Sequence, residues 1–166
     1  MRKLGKATDK RLALLKNQVS NLLWKGEIVT TYARAKEVQR LAEKYLTLAV
    51  DTFEDSVTVS KVRVTKGQKT NIDVINDGPK KLAARRVLMS ELNDLKEERG
   101  PKESNMEYKL RTQDVKHPMF EKIFNVYAPK YKERAEKVGQ KGGYTAVYKL
   151  GPRRGDAAEM AKIILL

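Results

Sequence analysis

The chain has 166 residues, 40% of them hydrophobic, so it is long enough for one domain with a modest core. Lys and Arg number 35 against 21 Asp and Glu, a formal charge of +14, which calls for a polyanionic partner: nucleic acid first, an anionic membrane surface second. There is no cysteine and a single histidine, which removes disulfides, thiol nucleophiles, iron–sulfur clusters and Cys/His zinc sites.

The charge is uneven. Residues 1–50 carry 11 basic and 4 acidic side chains, net +7; residues 51–117 carry 14 and 12, net +2; residues 118–166 carry 10 and 5, net +5. The two ends therefore face the polyanion and the middle is close to balanced. No apolar run approaches the roughly 18 residues of a membrane span, and the short cluster Leu12–Leu15 is no signal sequence, so a soluble, cytoplasmic protein is expected.

In chain order, residues 1–7 form a basic arm without apolar pattern. Thr8 or Asp9 is a candidate helix cap, and Leu12, Leu15, Val19, Leu22 and Leu23 repeat at helical spacing until Gly26 stops the helix. The β-branched run 27–31 reads as a short strand, after which Thr31 caps a second helix of about 32–50. Val57, Val59, Val62 and Val64, then Ile72, Val74 and Ile75, flank Lys66-Gly67 as a hairpin, with a shift between Val59 and Val62 that a bulge or turn explains. Asn76-Asp77-Gly78-Pro79 breaks it and opens a third helix of about 80–96, with Leu82, Leu88, Leu92 and Leu95 in its core stripe.

Residues 97–117 read as a long charged loop with room for local helix. Pro118 starts a fourth helix that ends at Ala128-Pro129, and 130–141 form a basic linker. Strands follow at 143–150 and 159–166. The expected fold is α/β: a compact two-layer sandwich of a small three-stranded mixed sheet with about four helices, plus an inserted β-hairpin, all in one domain over 1–166.

No enzyme constellation is present. Gly-x-Gly-x-x-Gly, the Gly-x4-Gly-Lys-Ser/Thr phosphate loop and the Gly-x-Ser-x-Gly elbow are all missing. His117 has no partner motif, and its place before Pro118 fits a structural or solvated side chain. The positive signal is phosphate binding. Gly151-Pro152 is a turn that holds out Arg153 and Arg154, and two adjacent guanidiniums suit closely spaced phosphate oxygens. A lone Arg-Arg is more often a solvated loop, and a lysine-rich helix face is usually just surface. The weight comes from their number, from the net charge and from the interleaved Tyr32, Tyr144 and Tyr148. The candidate RNA contacts are Arg2, Lys3, Lys6, Lys10, Arg11, Lys16, Arg34, Lys36, Arg40, Arg85, Arg86, Tyr144, Lys149, Arg153 and Arg154. There are no catalytic or metal-binding candidates.

Four blocks, in order, carry a resemblance. They are Arg2-Lys3-Leu4-Gly5-Lys6 through Leu12-Ala13-Leu14-Leu15-Lys16-Asn17; Ile28-Val29-Thr30-Thr31-Tyr32-Ala33-Arg34-Ala35-Lys36-Glu37 with Glu43 and Leu46-Thr47-Leu48-Ala49; Ala84-Arg85-Arg86; and Ile123-Phe124, Ala128-Pro129-Lys130-Tyr131, Gly142-Gly143-Tyr144-Thr145 and Lys149-Leu150-Gly151-Pro152-Arg153-Arg154-Gly155-Asp156-Ala157-Ala158. In these the chain resembles the bacterial large-subunit ribosomal protein seventeen (L seventeen) family. The resemblance implies a structural protein on large-subunit ribosomal RNA near the nascent-chain tunnel exit, beside neighbouring large-subunit proteins, without catalytic role, cofactor, membrane or small-molecule substrate. The alternative is a free-standing RNA-binding or RNA-remodelling factor. Against shorter members, residues 51–80 and 96–117 look like insertions, a hairpin and a loop, and Ala146 stands where many members carry arginine. Because 51–117 is nearly neutral, the insertions are expected to project away from the main RNA face, toward a neighbouring protein or solvent.

Overall fold

A computed structural model describes residues 1–65 and 68–166, without the side chains of 64–70. The elements run α1 (Thr8–Lys25), β1 (Glu27–Thr31), α2 (Tyr32–Thr52), β2 (Ser56–Thr65), β3 (Gln68–Asp77), α3 (Pro79–Glu91), α4 (Asn105–Thr112), α5 (Pro118–Lys122), a π-helical turn (Ile123–Tyr127), α6 (Ala128–Val138), β4 (Thr145–Pro152) and β5 (Glu159–Leu165). No helix among the described residues is long and apolar enough to cross a membrane.

The α/β sandwich is present, with a three-stranded sheet of order β1-β5-β4. Both pairings are antiparallel, so the sheet is not mixed as expected. The chain returns to β5 from β4 by a tight turn, and a hairpin connection leaves no parallel option. One face of the sheet takes the helices: Ala161 and Ile163 are buried with Leu15, Val19, Leu22 and Leu23 of α1 and Val38, Ala42, Leu46 and Ala49 of α2. Phe120, Ile123, Phe124 and Tyr131 complete the core from the C-terminal helical segment.

Gly26 ends α1 as its pattern foretells, with φ 85° and its N–H donating to the Leu22 carbonyl at 2.8 Å. The cap at the other end differs: Ala7 holds the N-cap position, and neither Thr8 nor Asp9 does. Thr31 does precede α2, but its side chain makes no capping bond. The arm before α1 is anchored rather than free of packing, because Leu4, at φ 54°, rests against the core.

Three expectations in the second half are corrected. Helix α3 stops at Glu91, and Leu82 is on its exposed side while Leu88 and Leu92 are buried. The expected 97–117 loop contains α4, started by a full capping box: Ser104 Oγ accepts from the Glu107 N–H and the Glu107 carboxylate accepts from the Ser104 N–H. Pro129 does not end the fourth helix. The π-helical turn before it carries the Ala128 N–H to the Ile123 carbonyl, and this wider turn lets the chain continue past proline, so most of the expected linker is α6.

The hairpin is present, and its pairing runs from Ser56↔Asp77 to Thr65↔Gln68 without a shift in register. The imperfect valine alternation is therefore not a bulge. Val57 and Val59 lie on one face and Val62 on the other. Lys66-Gly67, expected at the turn, lies outside the described residues.

Candidate nucleic-acid interface

Strand register gathers three chain ends at one pole of the sandwich. Met160 pairs with both Thr31 and Gly151, so the end of β1, the end of β4 and the turn into β5 share one level. Helix α2 starts there at Tyr32, and Lys149 Nζ lies 4.7 Å from the Tyr32 ring centroid. Helix α1 lies antiparallel to β1, because Gln18 Nε2 donates to Thr30 Oγ1 at 3.0 Å. Ten residues separate Gln18 from Thr8, so the start of α1 overhangs the pole by about 15 Å.

The pole collects the basic side chains of all three segments: Arg2, Lys3, Lys6, Lys10 and Arg11; Arg34 and Lys36; and Lys149, Arg153 and Arg154. These ten cations face four carboxylates, of Asp9, Glu37, Asp156 and Glu159. Two of the four are withdrawn, since Glu37 is buried and Asp156 is clamped to Arg153. Both helices point their N-termini here, neither has a side-chain cap, and α2 has no acid in its first turn. Their unpaired N–H groups add positive potential to the same surface.

Most of these side chains are free to meet a phosphate. Arg2, Lys3, Lys6, Lys10 and Arg154 are exposed and have no side-chain partner among the described residues, and the same holds for Arg40, farther along α2. Arg34 is half-buried and likewise unpartnered. Lys36 reaches Gln39 Oε1 at 3.3 Å, and Arg11 Nη2 donates to Thr8 Oγ1 at 3.3 Å while its buried Nε has no acceptor. An unsatisfied guanidinium N–H is an incomplete arrangement that an added acceptor would complete.

Four candidates are committed within the protein instead. Lys16 Nζ donates to the Ser90 carbonyl at 2.8 Å, tying α1 to the end of α3. Arg85 bridges Asp77 and Glu121, each at 2.6 Å, with its guanidinium 5.0 Å from the Phe124 ring centroid. Burial pushes the Asp77 carboxyl up, but hydrogen bonds from Lys81 and Arg85 outweigh it and hold the pKa below the usual value of 3.8. Its neighbour Arg86 is exposed on α3, away from the pole. Tyr144 is 2% exposed and packs 4.7 Å, centroid to centroid, from Tyr131, so no base can stack on it. Tyr148 is the tyrosine of that strand that stands in solvent. Arg153 Nε and Nη2 bind both oxygens of Asp156 at 2.5 and 2.6 Å. That hydrogen bond, with a second from the Ala158 N–H, brings the Asp156 carboxyl down to about 2.

One residue outside the basic set ties α2 to β4 at the end of the strand away from the pole. Glu43 Oε1 accepts from the Thr145 N–H at 2.8 Å and from Thr145 Oγ1 at 2.7 Å, fixing the start of β4 on α2. Sequence reasoning placed Glu43 in a motif without a role, because its partner is 102 residues away.

The chain matches known proteins over nearly all of its length. The family model described as Ribosomal protein L17 matches residues 14–166. The chain is 42% identical, over a 192-residue alignment covering 99% of it and 98% of the relative, to the large ribosomal subunit protein bL17 of Ruminiclostridium cellulolyticum. Identity to the bL17 proteins of Acetivibrio thermocellus and Clostridium tetani is 36% and 35%, over 99% of this chain and 98% and 96% of theirs. A match of this length, at these identities, decides between the ribosomal and free-standing alternatives at the level of family: the chain belongs to the bacterial L17 family of large-subunit ribosomal proteins, structural constituents of the ribosome and not enzymes.

Proposed function

We propose that this protein binds large-subunit ribosomal RNA through the basic pole, near the nascent-chain tunnel exit, as a stoichiometric component of cytoplasmic ribosomes. The observation that carries the RNA reading is the convergence of two uncapped helix N-termini and the β4–β5 turn, with their unpaired Lys and Arg, at one end of the sandwich. Such cations displace condensed counterions from RNA phosphates, and the released ions drive association. The contacts are to phosphate rather than to base edges, since the cations are unpaired tips on element ends and Tyr144 is sealed in the core. The tunnel-exit position rests on the family resemblance carried by the four blocks together.

Sedimentation through high salt tests this. The protein should remain at one copy per large subunit after the wash. Release with the loosely held factors would favour a free-standing RNA-binding factor instead. Chemical cross-linking to nascent chains of increasing length tests the tunnel-exit position.

A further inference from the structure

We infer that one face of the β2–β3 hairpin is a docking surface for a neighbouring protein of the large subunit, which meets it with apolar side chains and a carboxylate. Membership of the large subunit carries this, and the RNA reading of the basic pole does not enter it. The hairpin is held at its root. Asp55 accepts the Gly78 N–H on its backbone carbonyl at 2.8 Å, and its Oδ2 accepts from the Lys80 and Lys81 N–H groups at 2.7 and 3.3 Å. Asp77 pairs there with Lys81 and Arg85. Beyond the root, Val57, Val59, Val62, Ile72 and Ile75 are all exposed, so the body supplies no layer over the ribbon. A two-stranded ribbon alone is marginal in water, and cover on an apolar face is what steadies it.

Register sorts the side chains onto two unlike faces, since opposite residues share a face and successive ones alternate. Val57, the opposed pair Val59 and Val74, and Ile72 are contiguous on one face, over about 14 Å of the ribbon. Lys61, opposite Ile72, and Arg63 stand on that face too, and no acid shares it among the described residues. The other face carries Asp73 and Asp77. There Ser60 and Asp73, hydrogen-bonded to each other, separate Val62 from Ile75, so no apolar patch forms.

An apolar centre with charge at its margin is the anatomy of a contact between proteins, whereas a phosphate backbone gains nothing from four aliphatic side chains. Lys61 is exposed and has no side-chain partner among the described residues, so charge complementarity places Asp or Glu on the occupant. A second copy of this chain does not fit. It would bring Lys61 and Arg63 instead of acids. Four apolar side chains are also far fewer than the roughly 20–30 residues a side of a complex that assembles from solution. A neighbour already fixed in the same particle meets the face at high effective concentration, and there a small contact suffices.

The test is photo-cross-linking in intact, purified large subunits, with a benzophenone amino acid in place of Val59 on the apolar face or of Ile75 on the other. Incorporation into the subunit shows that each variant is folded. The probe at 59 should cross-link to another protein, at a peptide that carries Asp or Glu, and the probe at 75 should give a much lower yield. Lys61→Glu should lower the yield from position 59 several-fold, and Lys61→Arg should leave it unchanged. Cross-links from 59 to RNA or to a second copy, equal yields from the two faces, or no cross-link at all would overturn the inference. Hydrogen exchange of the wild type reads the same contact without a variant. Amides of residues 56–63 should exchange about tenfold more slowly in the subunit than in the free protein, and equal rates would overturn the inference as well.

Discussion

Asp156 grips Arg153 with both carboxylate oxygens, while the adjacent Arg154 extends from the same turn with no partner among the described residues. Two neighbouring arginines that read alike in sequence thus have different work. Arg153 shapes the turn, helped by its N–H bond to the Ala158 carbonyl at 3.0 Å, and Arg154 is available to phosphate.

Arg154→Ala should therefore weaken binding to large-subunit RNA and flatten the salt slope by about 0.7–0.9, one phosphate contact. Its unfolding free energy should change by less than about 0.5 kcal/mol, as for surface positions generally. Arg153→Ala should disturb the turn without a full unit of slope. Equal slope changes in the two variants, read from filter-binding titrations, would show that Asp156 yields Arg153 to the RNA.

Removing the Glu43 carboxylate strands the buried Thr145 N–H and hydroxyl together. An unmade buried hydrogen bond costs about 1–3 kcal/mol, so Glu43→Ala should lower the urea midpoint and loosen the start of β4 first. Hydrogen exchange at Thr145 and Ala146 reads the local effect. Unchanged protection there would mean that the strand is fixed by its ladder with β5 alone.

The parts of this fold that were legible in sequence are those set by neighbours along the chain. The stripe of α1, the αL stop at Gly26 and the two strands of the hairpin follow from local spacing and backbone preference. The Ser104-x-x-Glu107 capping box was equally local, yet a charged, weakly periodic segment masked it. Pro129 misled because a proline ends a regular α-helix, and only the π-helical turn before it removes the conflict. Arg85 and Tyr144 were misplaced for another reason. Glu121 is 36 residues from Arg85, and Gly142 and Gly143, both at positive φ, turn Tyr144 out of the strand alternation and into the core.

Gly78 has an ordinary φ of −69°, so its constraint is space and not backbone strain. A Cβ there would overlap the Asp55 carboxyl group, which is held by the first N–H groups of α3. Gly78→Ala should cost as much as the loss of that cap in Asp55→Ala, about 1 kcal/mol. The double variant should cost little more than either alone, because both remove the same contact. Additive losses in thermal unfolding would show that Gly78 and Asp55 act separately.

Acid should release the hairpin root before it unfolds the body. Asp77 has its pKa held below 3.8 in the folded protein by Lys81 and Arg85, so the folded state binds its proton less readily than the unfolded chain. The contribution of this group is fully present above pH 3.8 and is lost as the pH falls through the lower folded value. Arg85 stays charged throughout: burial lowers its pKa, but the bonds to Glu121 and Asp77 raise it by more. Protonation of Asp77 therefore leaves a half-buried guanidinium with Glu121 alone. Amide exchange followed downward from pH 5 to well below 3.8 should show the Ser56↔Asp77 end of the ladder losing protection while the α1 and α2 amides stay protected. In Asp77→Asn the root should already be loose at pH 5 and show no further change on acidification. A wild-type root that opens only together with α1 and α2 would assign its acid stability to the core and not to this ion pair.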